Sequence, residues 1–185
     1  GLTADFCSGA CRADITYFRS TLNDEVTTTF AAPTFLAKAV NIEGASRRDG
    51  WEATFGADIG SAVAVDAHWT WLNSEDAAGE AEVRRPRRSG GVNLGYAFAG
   101  DKGRASVSWV YHGDMQDNEF IMATPEVRAN IKGVSLVNLG ISYEASSHTT
   151  AFVRAQNVLD KEYQQVLGFK APGATASIGV IISLR

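Results

Sequence analysis

The chain has 185 residues, of which 45% are hydrophobic and 21% charged, and its formal net charge is −4. This charge leaves no basic surface of the kind that binds nucleic acid, so no nucleic-acid partner is expected. No run approaches the roughly 18 to 20 consecutive apolar residues of a transmembrane helix, which argues against a bundle of such helices. A soluble one-core domain and a membrane β-barrel both fit this composition, and the strand pattern has to separate them.

Both cysteines, Cys7 and Cys11, lie near the start of the chain with three residues between them. Cysteines at the two ends of a turn can face each other across a hairpin and bond in an oxidising compartment such as the periplasm. We therefore predict a structural disulfide. A redox or zinc role fits less well, because the spacing is not Cys-x-x-Cys and the three histidines are isolated in sequence.

Strict two-residue alternation of apolar and polar residues recurs through the chain and predicts strands, whereas no comparable window keeps a helical period. The predicted strands run over about 12–24, 39–57 (one long strand or two short ones), 63–71, 92–98, 105–111, 137–143, 149–158 and 174–184. Short turns near Gly9, Gly60, Asp101 and Ser146 alternate with longer polar loops near Thr29, Asp76, Asp117 and Gly168. This alternation is typical of a barrel with one rim in the periplasm and the other outside the cell.

The two faces of the predicted strands also differ in a way that favours a membrane barrel. Opposite the apolar face stand mostly Gly, Ser, Thr, Asn and Ala, where a soluble sandwich would bury large apolar side chains inside. Many aromatic residues fall near strand ends, where an interfacial girdle would place them: Trp69, Trp71, Tyr96, Phe98, Trp109, Tyr111 and Tyr143. The alternative is that they are core aromatics of a soluble sandwich.

Several motifs resemble those of TonB-dependent outer-membrane receptors, the vitamin B12 and siderophore receptor family. The run from Asn157 to Tyr163, Asn-Val-Leu-Asp-Lys-Glu-Tyr, is similar to the family's Asn-Leu-Phe-Asp-x-x-Tyr signature. Further resemblances are Tyr17-Phe18-Arg19-Ser20, Asn41-Ile42-Glu43-Gly44-Ala45 with Gly50-Trp51-Glu52, Arg85-Pro86-Arg87-Arg88 and Pro172-Gly173-Ala174. Some positions depart from the family pattern: Val158 and Leu159 are conservative replacements in the signature, Arg88 replaces a usual His and Ala174 a usual Arg.

The resemblance implies an all-β fold: an antiparallel transmembrane β-barrel, of which this chain supplies about the last eight or nine strands. Residues 1–185 would be the C-terminal portion of the barrel domain, with the plug domain absent from them. It implies the outer membrane of a Gram-negative cell and uptake of a metal chelate such as a ferric siderophore, or of cobalamin, energised by TonB. The implied partners are outer-membrane lipid, lipopolysaccharide, the substrate, and the TonB complex through the missing plug; no cofactor is expected.

In such a receptor the longer outer loops would contact the substrate, here about residues 73–88 and 112–132. The four arginines of the first loop could attract an anionic chelate, or they could face lipopolysaccharide or solvent: Arg84, Arg85, Arg87 and Arg88. In the second loop, Asp114, Asp117 and Glu119 could hold a hard cation through oxygen ligands, although their spacing is not that of a known calcium loop.

Two other functions remain open from the sequence. One is a complete small outer-membrane barrel of about eight strands acting as an adhesin or structural protein. The other is a soluble β-barrel or sandwich that binds a small ligand. An enzyme is least expected, because no Gly-x-Ser-x-Gly elbow, metal triad or phosphate loop is present. His68 with a nearby serine is the one catalytic hypothesis, and a lone histidine is more often structural.

Overall fold

A computed structural model describes residues 1–31, 34, 36–119 and 127–183 of the chain. Within these ranges the structure consists of strands and one short 3-10 turn, Cys7–Gly9. No helix in them is long and apolar enough to cross a membrane. The strands are β1 (Leu2–Phe6), β2 (Cys11–Asn23), β3 (Val26–Ala31), β4 (Leu36–Asn41), β5 (Ala45–Ile59), β6 (Val63–Glu75), β7 (Arg88–Phe98), β8 (Gly103–His112), β9 (Met115–Glu119), β10 (Val127–Ile131), β11 (Val134–Ser146), β12 (Thr149–Gln156), β13 (Gln164–Val166), β14 (Phe169–Lys170) and β15 (Thr175–Ile182).

Nine strands form one antiparallel sheet in the order β1-β2-β5-β6-β7-β8-β11-β12-β15. Because each strand reverses the direction of the last, the short turns all lie at one edge of the sheet and the long loops at the other. We call these the turn edge (residues 7–10, 60–62, 99–102 and 147–148) and the loop edge (the described residues within 24–44, 76–87, 113–133 and 157–174). Among the described residues β1 and β15 each pair with only one neighbouring strand and not with each other, so the sheet is not closed.

The turn edge contains the two cysteines. Cys7 and Cys11 are joined by a disulfide across the turn between β1 and β2, with their Cα atoms 5.3 Å apart. The bond therefore joins the edge strand β1 to its neighbour at the point where the chain reverses.

The loops contain more structure than the sequence predicted. β3 and β4 form a hairpin within the predicted polar loop, and β9 and β10 form another within the predicted segment 112–132. The extended run that begins near residue 39 is two strands, because the chain bends at Gly44, whose φ is +115°. Pro33 and residues 120–126 lie outside the described residues. Hydrophobic alternation missed the loop hairpins because β-branched residues such as Thr27 and Thr28 favour strands without making an apolar face.

Register gives the main sheet one apolar and one polar face. Leu94 lies opposite Val65 on one side and Val107 on the other, and Val107 lies opposite Leu139. One residue earlier on β7, Asn93 lies between polar partners on both neighbouring strands, Asp66 and Ser108. The apolar row thus runs unbroken across several strands, and so does the polar row.

The apolar face has no protein packed against it. Ile131 is the one buried apolar side chain among the described residues, whereas mid-sheet residues such as Leu139 (44% exposed) and Ile141 (48%) are open. A soluble sandwich or ligand-binding barrel would bury these side chains in a core. A sheet with its apolar side outward and its polar side inward is the wall of a membrane barrel.

Aromatic side chains border this face at both edges, as predicted. The loop-side aromatic band consists of Tyr17, Trp51, Trp69, Trp71, Trp109 and Tyr111, and the turn-side aromatic band of Tyr96, Phe98 and Tyr143. Trp71 lies opposite Arg88, and Tyr96 follows Arg88 on β7 by eight residues. That interval is about 27 Å along the strand. With a tilt of about 40° it spans about 20 Å of membrane, close to the apolar band of an outer-membrane barrel.

Candidate functional site at the loop edge

The buried side chains of the described structure lie at or beside the loop edge. They are Ser46, Ser74, Asp117, Ile131 and Asn157, and four of the five are polar. Burying a polar group is unfavourable unless it is hydrogen-bonded, so each of these residues needs a specific partner. The loop edge is therefore where side-chain interactions determine the structure.

Arg48, near the start of β5, is the centre of one cluster. Its Nη2 and Nε donate to the two carboxylate oxygens of Glu82, at 2.5 and 2.9 Å, and Nη2 also donates to Glu25 at 3.0 Å. Ser74 donates a further hydrogen bond to Glu82, and Arg85 lies 2.6 Å from the same carboxylate. The Arg48 guanidinium holds the pKa of Glu82 below its usual range, although burial opposes this.

Arg128 of β10 connects this cluster to the next loop. Its Nη2 donates to Asp76 at 2.8 Å, and its Nη1 donates to the carbonyl of Ala81. Burial alone would raise the pKa of Asp76, but hydrogen bonds from the Glu80 N–H and from Arg128 outweigh it and lower that pKa. The loop between β6 and β7 is thus held to the loop between β8 and β11.

Asp117 on β9 is 1% exposed and connects three loops. It accepts hydrogen bonds from Arg84 Nε at 2.9 Å, from the Leu167 N–H at 2.8 Å and from the Asn118 N–H at 2.9 Å. Burial opposes its ionisation, yet these donors lower its pKa overall. Together with the two clusters above, Asp117 links all four loops, and we call this set the rim network: Glu25, Arg48, Asp76, Glu82, Arg84, Arg85, Asp117 and Arg128.

The motif from Asn157 to Tyr163 has a structural role. Asn157 is 4% exposed and has a positive φ of 49°. Its side chain accepts from the Lys161 N–H at 2.9 Å and donates to the carbonyls of Lys161 and Pro172, while its own N–H donates to Asn138. Asp160 then accepts from the Ala174 N–H at 2.8 Å. The motif closes the base of the last loop, a role that strand alternation cannot reveal.

The four arginines predicted as ligand contacts have different surroundings in the structure. Arg84 pairs with Asp117 and Arg85 with Glu82, so both hold the rim together. In the described ranges Arg87 and Arg88 form no ion pair. Arg88 lies opposite Trp71 and so projects from the apolar face. Arg87, whose carbonyl accepts the Leu72 N–H, comes one residue earlier and belongs to the polar face.

The acidic residues predicted as possible ligands of a cation make other contacts where the structure describes their side chains. Asp114 accepts a 2.6 Å hydrogen bond from the Gly133 N–H, and Asp117 belongs to the rim network. The side chain of Glu119 lies outside the described part. Over the ranges that the structure covers, no three His, Cys, Asp or Glu residues are grouped closely enough to hold a metal ion. His68 lies on the polar face between Thr54 and Gly91, neither of which is a serine.

Open cavities lie along the loop edge. Two of them, of about 340 and 500 Å³, share Lys132, Tyr163 and Gln164. The smaller is also lined by Arg84 and His112, so a guanidinium, the Lys132 ammonium and an imidazole surround it together with the Tyr163 phenol. A third, of about 550 Å³, is lined by members of the rim network. The sequence did not indicate that Lys132 and Tyr163 line one cavity, because they come from different loops and only folding brings them together.

Comparison with known proteins places these features in a family. A family model described as TonB dependent receptor-like, beta-barrel, matches residues 2–158. Among solved structures, the ferripyoverdine receptor of the outer membrane of Pseudomonas aeruginosa has a TM-score of 0.75 and 18% identity, covering 97% of this chain and 26% of that one. The siderophore receptor PirA from Acinetobacter baumannii has a TM-score of 0.73 and 14% identity, and the match covers 92% of this chain and 29% of PirA. The ferric-catecholate import receptor Fiu from Escherichia coli K12 has a TM-score of 0.73 and 15% identity, and the match covers 97% of this chain and 26% of Fiu.

These likenesses confirm the predicted fold, an all-β antiparallel transmembrane barrel of which this chain is a part. The chain spans between a quarter and a third of the length of the receptors it matches. Its unclosed sheet agrees with that share.

Proposed function

Because this chain belongs to the TonB-dependent receptor-like β-barrel family, we propose that it forms part of an outer-membrane receptor that takes up a ferric siderophore. It lies in the outer membrane of a Gram-negative cell. The named siderophore receptors among its structural neighbours support the choice of a ferric chelate as substrate. Cobalamin is the second substrate class that the sequence suggested, and the test below distinguishes it from a ferric chelate.

In this proposal the chain contributes wall and loops, and no catalytic step is assigned to it. Residues 1–185 would be the C-terminal portion of the barrel domain, and the plug on which TonB acts would lie elsewhere in the receptor. The unpaired edges of β1 and β15 support this, since backbone groups of an open edge cannot be satisfied in lipid and need further strands.

Cationic groups at the loop edge support an anionic ligand. Arg87 on the polar face has no ion-pair partner within the described ranges, and the same holds for Lys132, which lines both smaller cavities. Unpaired cations at the mouth of a barrel would raise the local concentration of an anionic chelate and speed its encounter. The Tyr163 hydroxyl would add a hydrogen-bonding group beside Lys132.

The test uses the complete receptor that contains this chain, expressed in cells that lack other ferric-siderophore receptors. Uptake of radioactive iron is measured for a panel of ferric chelates, with and without a functional TonB. We expect at least one chelate to enter only when TonB is present and to bind in either case. If no ferric chelate binds and cobalamin does, the substrate assignment is wrong. If neither binds, the proposal that this receptor takes up a ferric chelate or cobalamin is wrong.

A matched pair of variants sharpens this test. Arg87→Gln removes a polar-face cation at the loop edge, and Arg104→Gln removes one from the same face near the turn edge, opposite Ala97 and Ser142. We expect Arg87→Gln to weaken chelate binding about three- to tenfold, and Arg104→Gln to leave it unchanged. Equal effects of the two variants would contradict a role for the loop edge.

A further inference from the structure

Two short turns at the turn edge share one backbone geometry. We call them the cysteine turn (residues 7–10, between β1 and β2) and the Gly-Asp turn (residues 99–102, between β7 and β8). The first three residues of each have positive φ: 54°, 56° and 90° in the cysteine turn, and 54°, 63° and 67° in the Gly-Asp turn. In each, an N–H of the next strand donates at 2.8 Å to the carbonyl of the fourth turn residue, from Asp58 and from Glu144 respectively. The two turns are therefore equivalent position by position.

The sequences of the two turns differ where this geometry is most demanding. Positive φ suits glycine, and to a lesser degree asparagine and aspartate, but is unfavourable for other residues. The Gly-Asp turn has Gly100 and Asp101 at its second and third positions, so only Ala99 is poorly suited to it. The cysteine turn has both Cys7 and Ser8 in this conformation, and only its third residue is a glycine. Without further support the cysteine turn is therefore the weaker of the two.

The support that each turn receives from the following strand also differs. Gly103 follows the Gly-Asp turn and pairs with Phe98, whose ring occupies the space that a Cβ on this glycine would need. Cys11 has the equivalent position after the cysteine turn, pairs with Phe6, and is bonded to Cys7 with the Cα atoms 5.3 Å apart. A disulfide thus stands in the cysteine turn where its equivalent has a ring packed on glycine.

The cysteine turn is exposed and lies at an edge of the sheet. All four of its residues are exposed, and a Cβ added to Gly9 would meet no atom of the described structure within 4 Å. A partner protein could therefore reach this turn. The edge strand β1 pairs with β2 through five residues, whereas β2 pairs with β5 through thirteen. Since an isolated two-stranded hairpin is marginally stable in water, the β1–β2 hairpin depends on its turn until the wall is complete.

We propose that the cysteine turn is a substrate of a periplasmic thiol oxidase, and that the β1–β2 hairpin becomes stable only after this oxidation. The thiolate of one cysteine attacks the disulfide of the oxidase and forms a mixed disulfide, from which the thiolate of the other cysteine displaces the oxidase. The two thiols lose two electrons and two protons, which the oxidase takes up as it leaves in its dithiol form. The new bond removes unfolded conformations that the unfavourable turn does not exclude by itself.

The Gly-Asp turn supplies the control for a test in the complete receptor. One variant, Cys7→Ala with Cys11→Ala, removes the disulfide only. The grafted variant gives residues 7–11 the Ala-Gly-Asp-Lys-Gly sequence of residues 99–103; its changes are Cys7→Ala, Ser8→Gly, Gly9→Asp, Ala10→Lys and Cys11→Gly. Each form is expressed in cells with and without their periplasmic thiol oxidase. Pulse labelling followed by heat-modifiable gel mobility measures how fast the receptor folds.

We expect the unaltered receptor to fold about five- to tenfold more slowly in cells without the oxidase, and the double alanine variant to be that slow in both strains. The grafted variant should fold at the fast rate in both strains, because its turn needs no disulfide. Equal rates for the unaltered receptor in the two strains overturn the proposal, and so does a double alanine variant that folds at the fast rate.

A grafted variant that still slows when the oxidase is absent also overturns the proposal, since the dependence then lies outside the cysteine turn. The inference requires that the turn edge faces the periplasm, but it does not depend on which chelate is taken up. Folding and not uptake is measured, so its failure leaves the substrate assignment untouched.

Discussion

The wall and the loop edge of this molecule are stabilised in different ways. Between the two aromatic bands, the wall has a continuous backbone ladder and an apolar face on which no protein packs. At the loop edge, buried polar side chains and ion pairs join four loops. The wall thus depends on the surrounding lipid, whereas the rim depends on its own charges. The difference shows why alternation predicts one region and not the other.

The wall can be challenged most strongly by putting a charge on its lipid face. Leu94→Arg places a cation in the middle of the apolar row, between Val65 and Val107. We expect a loss of about 2 to 4 kcal/mol in the free energy of unfolding from lipid vesicles, measured by denaturant titration. Asn93→Arg, one residue earlier on the polar face, should cost far less. Similar losses for both would contradict the assignment of the faces.

The rim should respond to loss of Arg48 and not to loss of its neighbour. Arg48→Met leaves Glu82 and Glu25 without their shared partner, whereas Arg47→Met removes an exposed residue on the opposite face of β5. We expect the first change to lower the free energy of local opening of residues 76–87 by about 1 to 3 kcal/mol. The second should change that free energy by less than about 0.5 kcal/mol.

Hydrogen exchange of the backbone amides measures this effect. Wall amides near Leu94 should keep their protection in both variants, because the wall does not depend on the rim charges. Loss of protection throughout the sheet in Arg48→Met would show that the two regions are not separate.

Acidification should destabilise the rim and not the wall, with a smaller effect than the loss of Arg48. The pKa of Glu82 is lowered by Arg48 from an ordinary value of 4.5, and the pKa of Asp117 also lies below its ordinary value of 3.8. A carboxyl whose pKa is lower in the folded state contributes stability above its ordinary pKa, and this contribution is lost as the pH falls through the folded value. Exchange protection of the rim should therefore be constant above about pH 5 and decrease below about pH 4.

The Glu82 share of this acid response should be smaller in Arg48→Met, since the largest cause of the lowered pKa is gone while Ser74 and Arg85 remain. Wall amides, compared after correction for the intrinsic effect of pH on exchange, should show no matching step. A rim whose protection rises on acidification would contradict the pairing of these carboxylates.

The sequence predicted the wall because its determinants are local: residues two apart share a face, and the turns recur between them. The rim depends on partners far apart in the chain. Arg48 and Glu82 are 34 residues apart, Asp117 and Leu167 are 50 apart, and Asp76 and Arg128 are 52 apart. Nothing in the local pattern indicates which acid each arginine meets, so the four loop arginines looked equivalent until register and loop folding separated them.

The central claim is that the loop edge faces the outside of the cell and the turn edge the periplasm. Two lysines test it directly, Lys170 on β14 at the loop edge and Lys102 in the turn between β7 and β8. Each is replaced by cysteine in the complete receptor, in which Cys7 and Cys11 are bonded to each other. Intact cells are then treated with a membrane-impermeant maleimide. The account predicts labelling of Lys170→Cys on intact cells and of Lys102→Cys only after the outer membrane is opened; the reverse pattern would contradict it.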